Sequence, residues 1–367
     1  MVHDVEEAGV CDEPRPSGDA VARVAPRAVG EAEVEPVPLE PVDRVVLTTL
    51  VDNLSDMLLM DQGPAKRAGV MALAGMPRVP EPLFEDGETV DGLHAEHGFS
   101  MLVTVERGDR RTHIVFDTGM SPDGMTGNMR RLGIAAGDVE VVVLSHGHFD
   151  HTTGLDGFVR TVGRPNVPVV IHPGLWTRRR LNIPGVDPVE LPTVSKQALA
   201  GAGFEVVERR EPSLLFDRSV LITGEVARTS GFETGLPFHE AHHDHGWEPD
   251  PLVLDDQALV VHVRDAGLVV LTGCGHAGIV NIVRYAQRLT GVERIHAVVG
   301  GFHLNGPMFA PVIAPTVDAL ADLAPRVVVP AHCTGWHASH AIAARLPDAF
   351  IQNSVGTRYE LAVAGSS

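Results

Sequence analysis

Ser145-His146-Gly147-His148-Phe149-Asp150-His151 is the stretch on which the reading of this chain turns. Three imidazoles and a carboxylate, at His146, His148, Asp150 and His151, follow directly on the apolar run Val141-Val142-Val143-Leu144. Such a run reads as a buried strand, which places the four polar side chains on the loop leaving its carboxyl end. Imidazole nitrogens and a carboxylate suit Zn²⁺ and related divalent ions, and an open coordination position makes such a site catalytic. Ligands crowded on one tight loop lose little conformational entropy when an ion gathers them. The ordered alternation His-x-His-x-Asp-His sets the stretch apart from a polar loop that is merely rich in histidine.

The rest of the chain limits what such a site serves. Its 367 residues are enough to bury a large core, as one sizeable domain or two. A hydrophobic content of 44% and a charged content of 21% are ordinary for a globular protein. The formal net charge of -19 disfavours a nucleic-acid partner, because little positive field offsets phosphate repulsion. No apolar run has the length of a membrane span, and the acidic amino terminus (Asp4, Glu6, Glu7) does not read as a secretory signal. Cys11, Cys274 and Cys333 cannot form a disulfide framework, and two of them lie inside candidate site motifs. A reducing, cytoplasmic setting fits this usage.

Residues 1–43 are acidic and proline-punctuated, as in Glu31-Ala32-Glu33-Val34-Glu35-Pro36-Val37-Pro38, and read as a disordered tail. The folded domain is expected over 44–367, opening with the β-branched run Arg44 to Val51. Residues 54–93 mix Met, Leu, Gly and Pro and read as an insertion; packing onto the core is expected, with a lid as the alternative. Strands are predicted at Phe99 to Glu106, Thr112 to Phe116, Val167 to His172, Phe204 to Glu208 and Ser219 to Thr223. Further strands are predicted at Ala258 to Val263, Leu268 to Thr272, Ile295 to Val299 and Val327 to Val329. Helical stretches follow Asp117-Thr118-Gly119, the His-rich loop, Gly278 and Ala314. Four histidines between His239 and His245 lack ordered ligand spacing and read as a solvated loop. Two blocks of strands, each followed by strand–helix alternation, suggest two packed halves with helices outside.

The motif His146-x-His148-x-Asp150-His151, with Asp117-Thr118-Gly119 upstream, resembles the signature of the metallo-β-lactamase superfamily. The resemblance implies an α/β fold, the αββα sandwich of two mixed sheets with helices outside and a metal site at one edge. Four later motifs narrow it: Glu96-His97-Gly98-Phe99-Ser100, Thr272-Gly273-Cys274-Gly275-His276, Gly300-Gly301-Phe302-His303-Leu304 and Pro330-Ala331-His332-Cys333-Thr334-Gly335. They resemble the branch typified by 7,8-dihydropterin-6-methyl-4-(β-D-ribofuranosyl)aminobenzene-5′-phosphate synthase. Substrate does not follow from that resemblance, because one fold hosts many chemistries.

Carried over residue by residue, the resemblance gives His146, His148 and His276 to a first metal and Asp150, His151 and His332 to a second. Many dinuclear members have an aspartate after Thr-Gly where this chain has Cys274, so one ion or two remain open. Cys274 itself reads either as a metal-binding thiolate or as a small buried residue supporting its loop. His303 reads as a substrate-facing imidazole or as a structural one. Asp117 is expected to orient a ligand histidine through its second ring nitrogen. Glu96, His97, Asn53 and Arg228 receive no role.

The expected function is metal-dependent hydrolysis or a related transfer. A bound ion lowers the pKa of its water to about 7 and polarises the group under attack, with Asp150 orienting the nucleophile and His303 available to a leaving group. The expected partner is a small, anionic molecule: a phosphoester, a lactone or a pterin-linked aryl phosphate. Zn²⁺ is the expected cofactor, with Mn²⁺ and Fe as alternatives, and iron would turn the same ligand set to redox chemistry. A non-catalytic metal-binding role is the third reading.

Overall fold

The β-branched runs form strands, and the strands assemble into two large sheets. The computed structural model describes residues 35–363 apart from residue 165. Across the first sheet run Glu205–Glu208, Pro168–Ile171, Val141–Val143, Arg110–Phe116, Ser100–Arg107, Arg44–Val51, Arg358–Ala362 and Ala65–Lys66. Across the second run Ser213–Leu215, Val220–Ile222, Leu259–Val263, Gly267–Thr272, Ile295–Gly301 and Val327–Ala331. Both sheets are mixed. In the first, Ile114 pairs with Val141 and Val142 with Val169 in parallel register. In the second, Leu271 pairs with Val299 and Gly300 with Pro330, again in parallel.

Alternate side chains on each strand enter different layers. Val141 and Val143 point into the space between the sheets, where they join Phe99, Phe116, Leu271, Val299 and Val329. Val142 points outward with Val115 and Val169 against Met125, Met129, Phe158 and Leu199. Those four come from Gly124–Arg131, Leu155–Val162 and Lys196–Ala202. On the far side Val260, Val270 and Val298 pack on Ile282, Leu320 and Ile342. These belong to the helices Ile279–Thr290, Ala310–Leu323 and Trp336–Arg345. Burial on both faces explains why the central strands read as unbroken apolar runs. The result is the expected αββα sandwich, and no helix among the described residues is long and apolar enough to cross a membrane.

Three expectations need correcting in detail. Residues 1–34 lie outside the described residues, Cys11 among them, but 35–43 do not behave as a free tail. The Val37 and Val42 N–H groups donate to Leu289 and His262 carbonyls at 2.7 and 2.8 Å. Val37 and Leu39 lie against the outer core, and Val42 is fully buried. Three apolar side chains spaced among prolines suffice for that strip, though they produce no periodicity. Within 54–93, the methionine-rich stretch does not pack inward: Leu58 is 74% and Met60 82% exposed. The segment instead adds Ala65–Lys66 to the sheet edge and forms a hairpin of Arg78–Pro80 with Glu88–Val90. Finally, His239–His243 is a strand of a small four-stranded sheet with Val189–Glu190, Arg179–Leu181 and Gly246–Pro249.

Candidate metal centre

The parallel strands aim their carboxyl ends at one edge of the sandwich. Asp117 follows Arg110–Phe116, and the His146–His151 loop follows Val141–Val143. Cys274 and His276 follow Gly267–Thr272, His303 follows Ile295–Gly301, and His332 follows Val327–Ala331. Positions more than two hundred residues apart thus meet at one place.

There they form two sets. Ligand atoms of His146, His148 and His276 lie within 4.8 Å of one another, and so do those of Asp150, His151, Cys274 and His332. All seven residues are buried. The structure therefore brings together the six residues named from the sequence, in the two groups expected of them, and adds Cys274 to the second.

Hydrogen bonds around the sets fix the histidine tautomers. The Asp117 carboxylate accepts from the Ser145 N–H and hydroxyl, both at 2.7 Å, and from His151 Nδ1 at 2.7 Å. With its proton given to Asp117, the Ser145 oxygen accepts from His146 Nδ1 at 2.9 Å. Both histidines thus keep an Nε2 lone pair facing inward. At His332, Nδ1 lies 3.3 Å from Asn53 Oδ1, while Asn53 Nδ2 donates to the His332 carbonyl at 3.1 Å. His332 Nε2 faces Asp150 Oδ2 at 3.2 Å. Asp117 thus has the orienting place expected of it, and Asn53 shares it. Arg228 is a brace: its Nη1 donates to the His276 carbonyl at 3.0 Å and its Nη2 to that of Leu252.

Electrostatics favour ligating forms in the first set. Burial first, then neighbouring positive charges, pushes His146, His148 and His276 well below the ordinary imidazole range, so they stay neutral. In the second set burial opposes the Asp150 charge, but His151 and His332 outweigh it and hold the carboxyl far below its usual range. Burial likewise opposes a charge on His151, yet Asp150 and Asp117 push its pKa up to about 9. Two carboxylates around one imidazole demand a positive charge among them, which a proton or a metal ion supplies.

Several residues lay beyond the sequence reading. His239 belongs to the supposed solvated loop, yet it is 1% exposed and its Nε2 lies 3.0 Å from His148 Nε2. Its neighbours His242 and His243 are indeed outside the cluster. The structure also shows Arg179 buried against Asp255, whose Oδ2 accepts from the Gly147 N–H at 2.8 Å. That pair fixes the loop between His146 and His148. Glu96 is not a ligand: its carboxylate accepts from the Met120 and Ser121 N–H groups at 2.9 and 3.0 Å. His97 is mostly exposed, 3.7 Å from Asp150 Oδ2, with its ring against His332. His303 stands beside His276 with ring centres 4.4 Å apart, and its Nδ1 has no partner.

The donor arrangement fits metal ions on a direct test. His146 Nε2 and His148 Nδ1 face each other at 2.9 Å, both as lone pairs given the outer hydrogen bonds. Two such lone pairs repel without a cation at their common focus. Both ring nitrogens of His276 are buried with no hydrogen-bond partner, and His332 Nε2 faces only the Asp150 carboxylate. Buried polar atoms without partners are costly.

An αββα sandwich with two metal-capable sets of side chains at its sheet edge defines a recognisable class. Residues 95–287 match the Metallo-beta-lactamase superfamily, and the chain belongs to it. It is 28% identical over 253 residues to 7,8-dihydropterin-6-methyl-4-(beta-D-ribofuranosyl)-aminobenzene-5'-phosphate synthase of Methanocaldococcus jannaschii, spanning 67% of this chain and 83% of that protein. An uncharacterised protein of the same organism is 29% identical over 258 residues, 69% of this chain and 90% of its own length. The solved structure of Tm1679, described as a metal-dependent hydrolase of the beta-lactamase superfamily, superimposes with a TM-score of 0.63. Identity to it is 25%, over 87% of this chain and 99% of that one.

Proposed function

We propose that this chain is a metal-dependent enzyme that hydrolyses or transfers an ester group of a small anionic substrate, with phosphoesters first among the classes to test. The observation that carries the reading is the convergence of two ligand sets at one sheet edge, with a small cavity opening on His276 of the first set. That cavity is lined by His276, His303, Phe302, Leu304, Met308 and Phe309. A wider groove of about 920 Å³ runs along Gly124–Arg131, but its lining holds none of the clustered ligands. His146, His148 and His276 would hold one ion, and Asp150, His151 and His332 the other. Such a pair of ions supplies a nucleophile at neutral pH and neutralises charge on the group being transferred.

The chain's own side chains then divide the remaining work. Asp150, ionised and exposed on one side to His97, accepts a hydrogen bond from the attacking molecule and orients it. His303 Nδ1, without a protein partner and at the cavity wall, is placed to hold an anionic oxygen or pass a proton to a leaving group. Met308, exposed, and Phe309, half-buried, offer the apolar part of a substrate a surface at the cavity wall. Glu233 also lines the cavity, but its oxygens are taken by the Val280 and Asn281 N–H groups and Ser230 Oγ, so it anchors a helix instead.

Metal analysis of protein purified without added metal is the deciding experiment. About two equivalents of zinc or manganese, with turnover in a phosphoester or lactone panel, is the expected result. His148→Ala should lose most bound metal and turnover while staying folded. Unchanged metal content in that variant would overturn the reading, and about one equivalent of iron with oxygen consumption would replace it with redox chemistry.

A further inference from the structure

The cavity at His276 and His303 does not end in polar surface. One wall comes from residues 233–237 and the other from residues 302–312. Along these walls Met308 is 44% exposed, while Pro237, Phe309 and Val312 are half-buried. Phe238, next after Pro237, is 41% exposed. Its carbonyl accepts from the Asn182 N–H at 2.8 Å, and the Ile183 carbonyl accepts from the Val186 N–H at 3.1 Å. Ile183 and Val186 are exposed as well, in the turn between Arg179–Leu181 and Val189–Glu190. An apolar track therefore leaves the cavity by Met308 and Phe238 and continues over the small sheet. Apolar side chains exposed singly need no explanation, but a run of them adjoining a cavity marks a binding groove.

The backbone is strained to hold Phe238 in that place. Its φ is +63°, a conformation that a bulky side chain adopts only where its surroundings impose it. Here they act from both sides: the Asn182 N–H fixes its carbonyl, and His239, the next residue, is buried against His148. Strain of this kind gathers at ligand sites.

Charge decides what the track takes. Among the described residues lining the cavity there is no lysine or arginine, and the one carboxylate, Glu233, is turned onto the Val280 and Asn281 N–H groups. A charged segment would lie there without a counter-ion, so the segment that fits is uncharged and apolar. The cavity's volume of about 70 Å³ suits a narrow chain. The ester group then belongs at the imidazole rings, and the chain runs outward from them.

We infer that the substrate is an amphiphile: a phosphoester whose alcohol part is an unbranched apolar chain, seated past Met308 and Phe238 and over Ile183. The inference rests on the hydrolytic reading above and names its substrate class. Water's oxygen bonds to phosphorus, and the bond from phosphorus to the chain oxygen breaks. In net, the same water supplies the proton that the departing alcohol carries. Phe238 and Met308 set specificity by chain length, because each methylene taken from water adds to binding.

Two homologous series from ethyl to octyl, n-alkyl phosphates and the non-hydrolysable n-alkyl phosphonates, test this on the zinc-loaded full chain. Phosphonate affinity by calorimetry should rise about 10–100-fold from ethyl to octyl. The kcat/KM for phosphate release from the esters should rise in parallel. Phe238→Asn, whose side chain tolerates a positive φ, and Met308→Ser should each cut the octyl-to-ethyl affinity ratio at least about 3-fold. Leu83 is 93% exposed and outside the cavity lining, so Leu83→Ser should leave the ratio unchanged. Equal affinities along the phosphonate series overturn the chain site and leave the hydrolytic reading standing. Chain-dependent phosphonate binding without phosphate release overturns the phosphoester reading and leaves the chain site. A chain dependence that survives both variants overturns its assignment to this track.

Discussion

His239 Nε2 lies 3.0 Å from His148 Nε2, and its Nδ1 lies 2.8 Å from the Asp250 carbonyl oxygen. A carbonyl only accepts, so His239 carries its proton on Nδ1 and accepts at Nε2. His148 must then donate from Nε2, which leaves its Nδ1 lone pair toward His146. His239 therefore sets the tautomer of His148 from outside the His-rich loop. Outer partners of this kind are worth about 10–100-fold in metal affinity. His239→Ala should weaken metal binding at the first set by that order with little change in far-ultraviolet circular dichroism. His239→Gln, whose amide oxygen accepts the same bond, should lose less. Metal titration with a chromophoric competitor reads both, and equal affinity in all three proteins would remove the relay.

Asp117 is the corresponding anchor for the second set, and it tests the same principle with opposite chemistry. Its carboxylate is acceptor to Ser145 and His151 at once. In Asp117→Asn the amide NH₂ faces one of those donors, which drives His151 toward the tautomer carrying its proton inward. Metal affinity at the second set should fall at least about 10–100-fold, and the first set should suffer through Ser145 and His146. Asp117→Glu keeps the charge but not the reach, so it should not rescue binding. Retention of both ions in Asp117→Asn would show that orientation at His151 does not depend on the carboxylate.

The fold and most of the centre were legible because the decisive signals are local. Apolar runs of four to eight residues mark doubly buried strands, and His146 to His151 lie within one short loop. His276 and His332 were legible through their motifs after strands, a signal carried by resemblance. His239 was not, because nothing in the spacing of four histidines in the stretch His239 to His245 distinguishes the one that turns inward. Its burial comes from pairing with Arg179–Leu181, a contact across about sixty residues. Arg179 itself stands within a basic triplet, Arg178-Arg179-Arg180, which composition alone reads as a solvated surface. Only strand alternation sends Arg179 inward to Asp255, while Arg178 and Arg180 meet Glu190 and Glu240 nearer the surface. Strand Arg358–Ala362 carries only a short signal, with Tyr359 and Leu361 turning inward between the charged Arg358 and Glu360.

Gly273 gives a packing test close to the centre. Its missing Cβ would fall 2.1 Å from Ser145 Oγ and 2.5 Å from Asp117 Oδ2. Both atoms are committed to the network that orients His146 and His151, so neither can yield without disturbing a ligand. Gly273→Ala should cost about 1–3 kcal/mol by denaturant unfolding, the usual range for overpacking, and should lower metal occupancy as well. Gly137→Ala, with nothing within 4 Å of the added methyl, is the matched control. It should stay within about 0.5 kcal/mol of the parent. Equal stability of the two variants would mean that the 273–275 loop is not wedged.

His296 offers a pH test far from the ligands. It is 5% exposed in strand Ile295–Gly301, and neither ring nitrogen has a hydrogen-bond partner. Burial first, then the charge of Arg326, lowers its pKa to about 4. The ordinary value in an unfolded chain is about 6.5. Between these values the unfolded chain binds the proton more strongly, so His296 withdraws stability as pH falls from about 6.5 toward about 4. Above that window the residue is neutral in both states and its contribution does not change with pH. His296→Leu removes the titrating group at similar volume. Its melting temperature should gain on that of the wild type as pH is lowered from about 7.5 to about 5. Acid also strips metal from both proteins, so the difference between the two melts at each pH is the quantity to follow. Parallel curves would place the His296 proton affinity in the folded protein near its unfolded value.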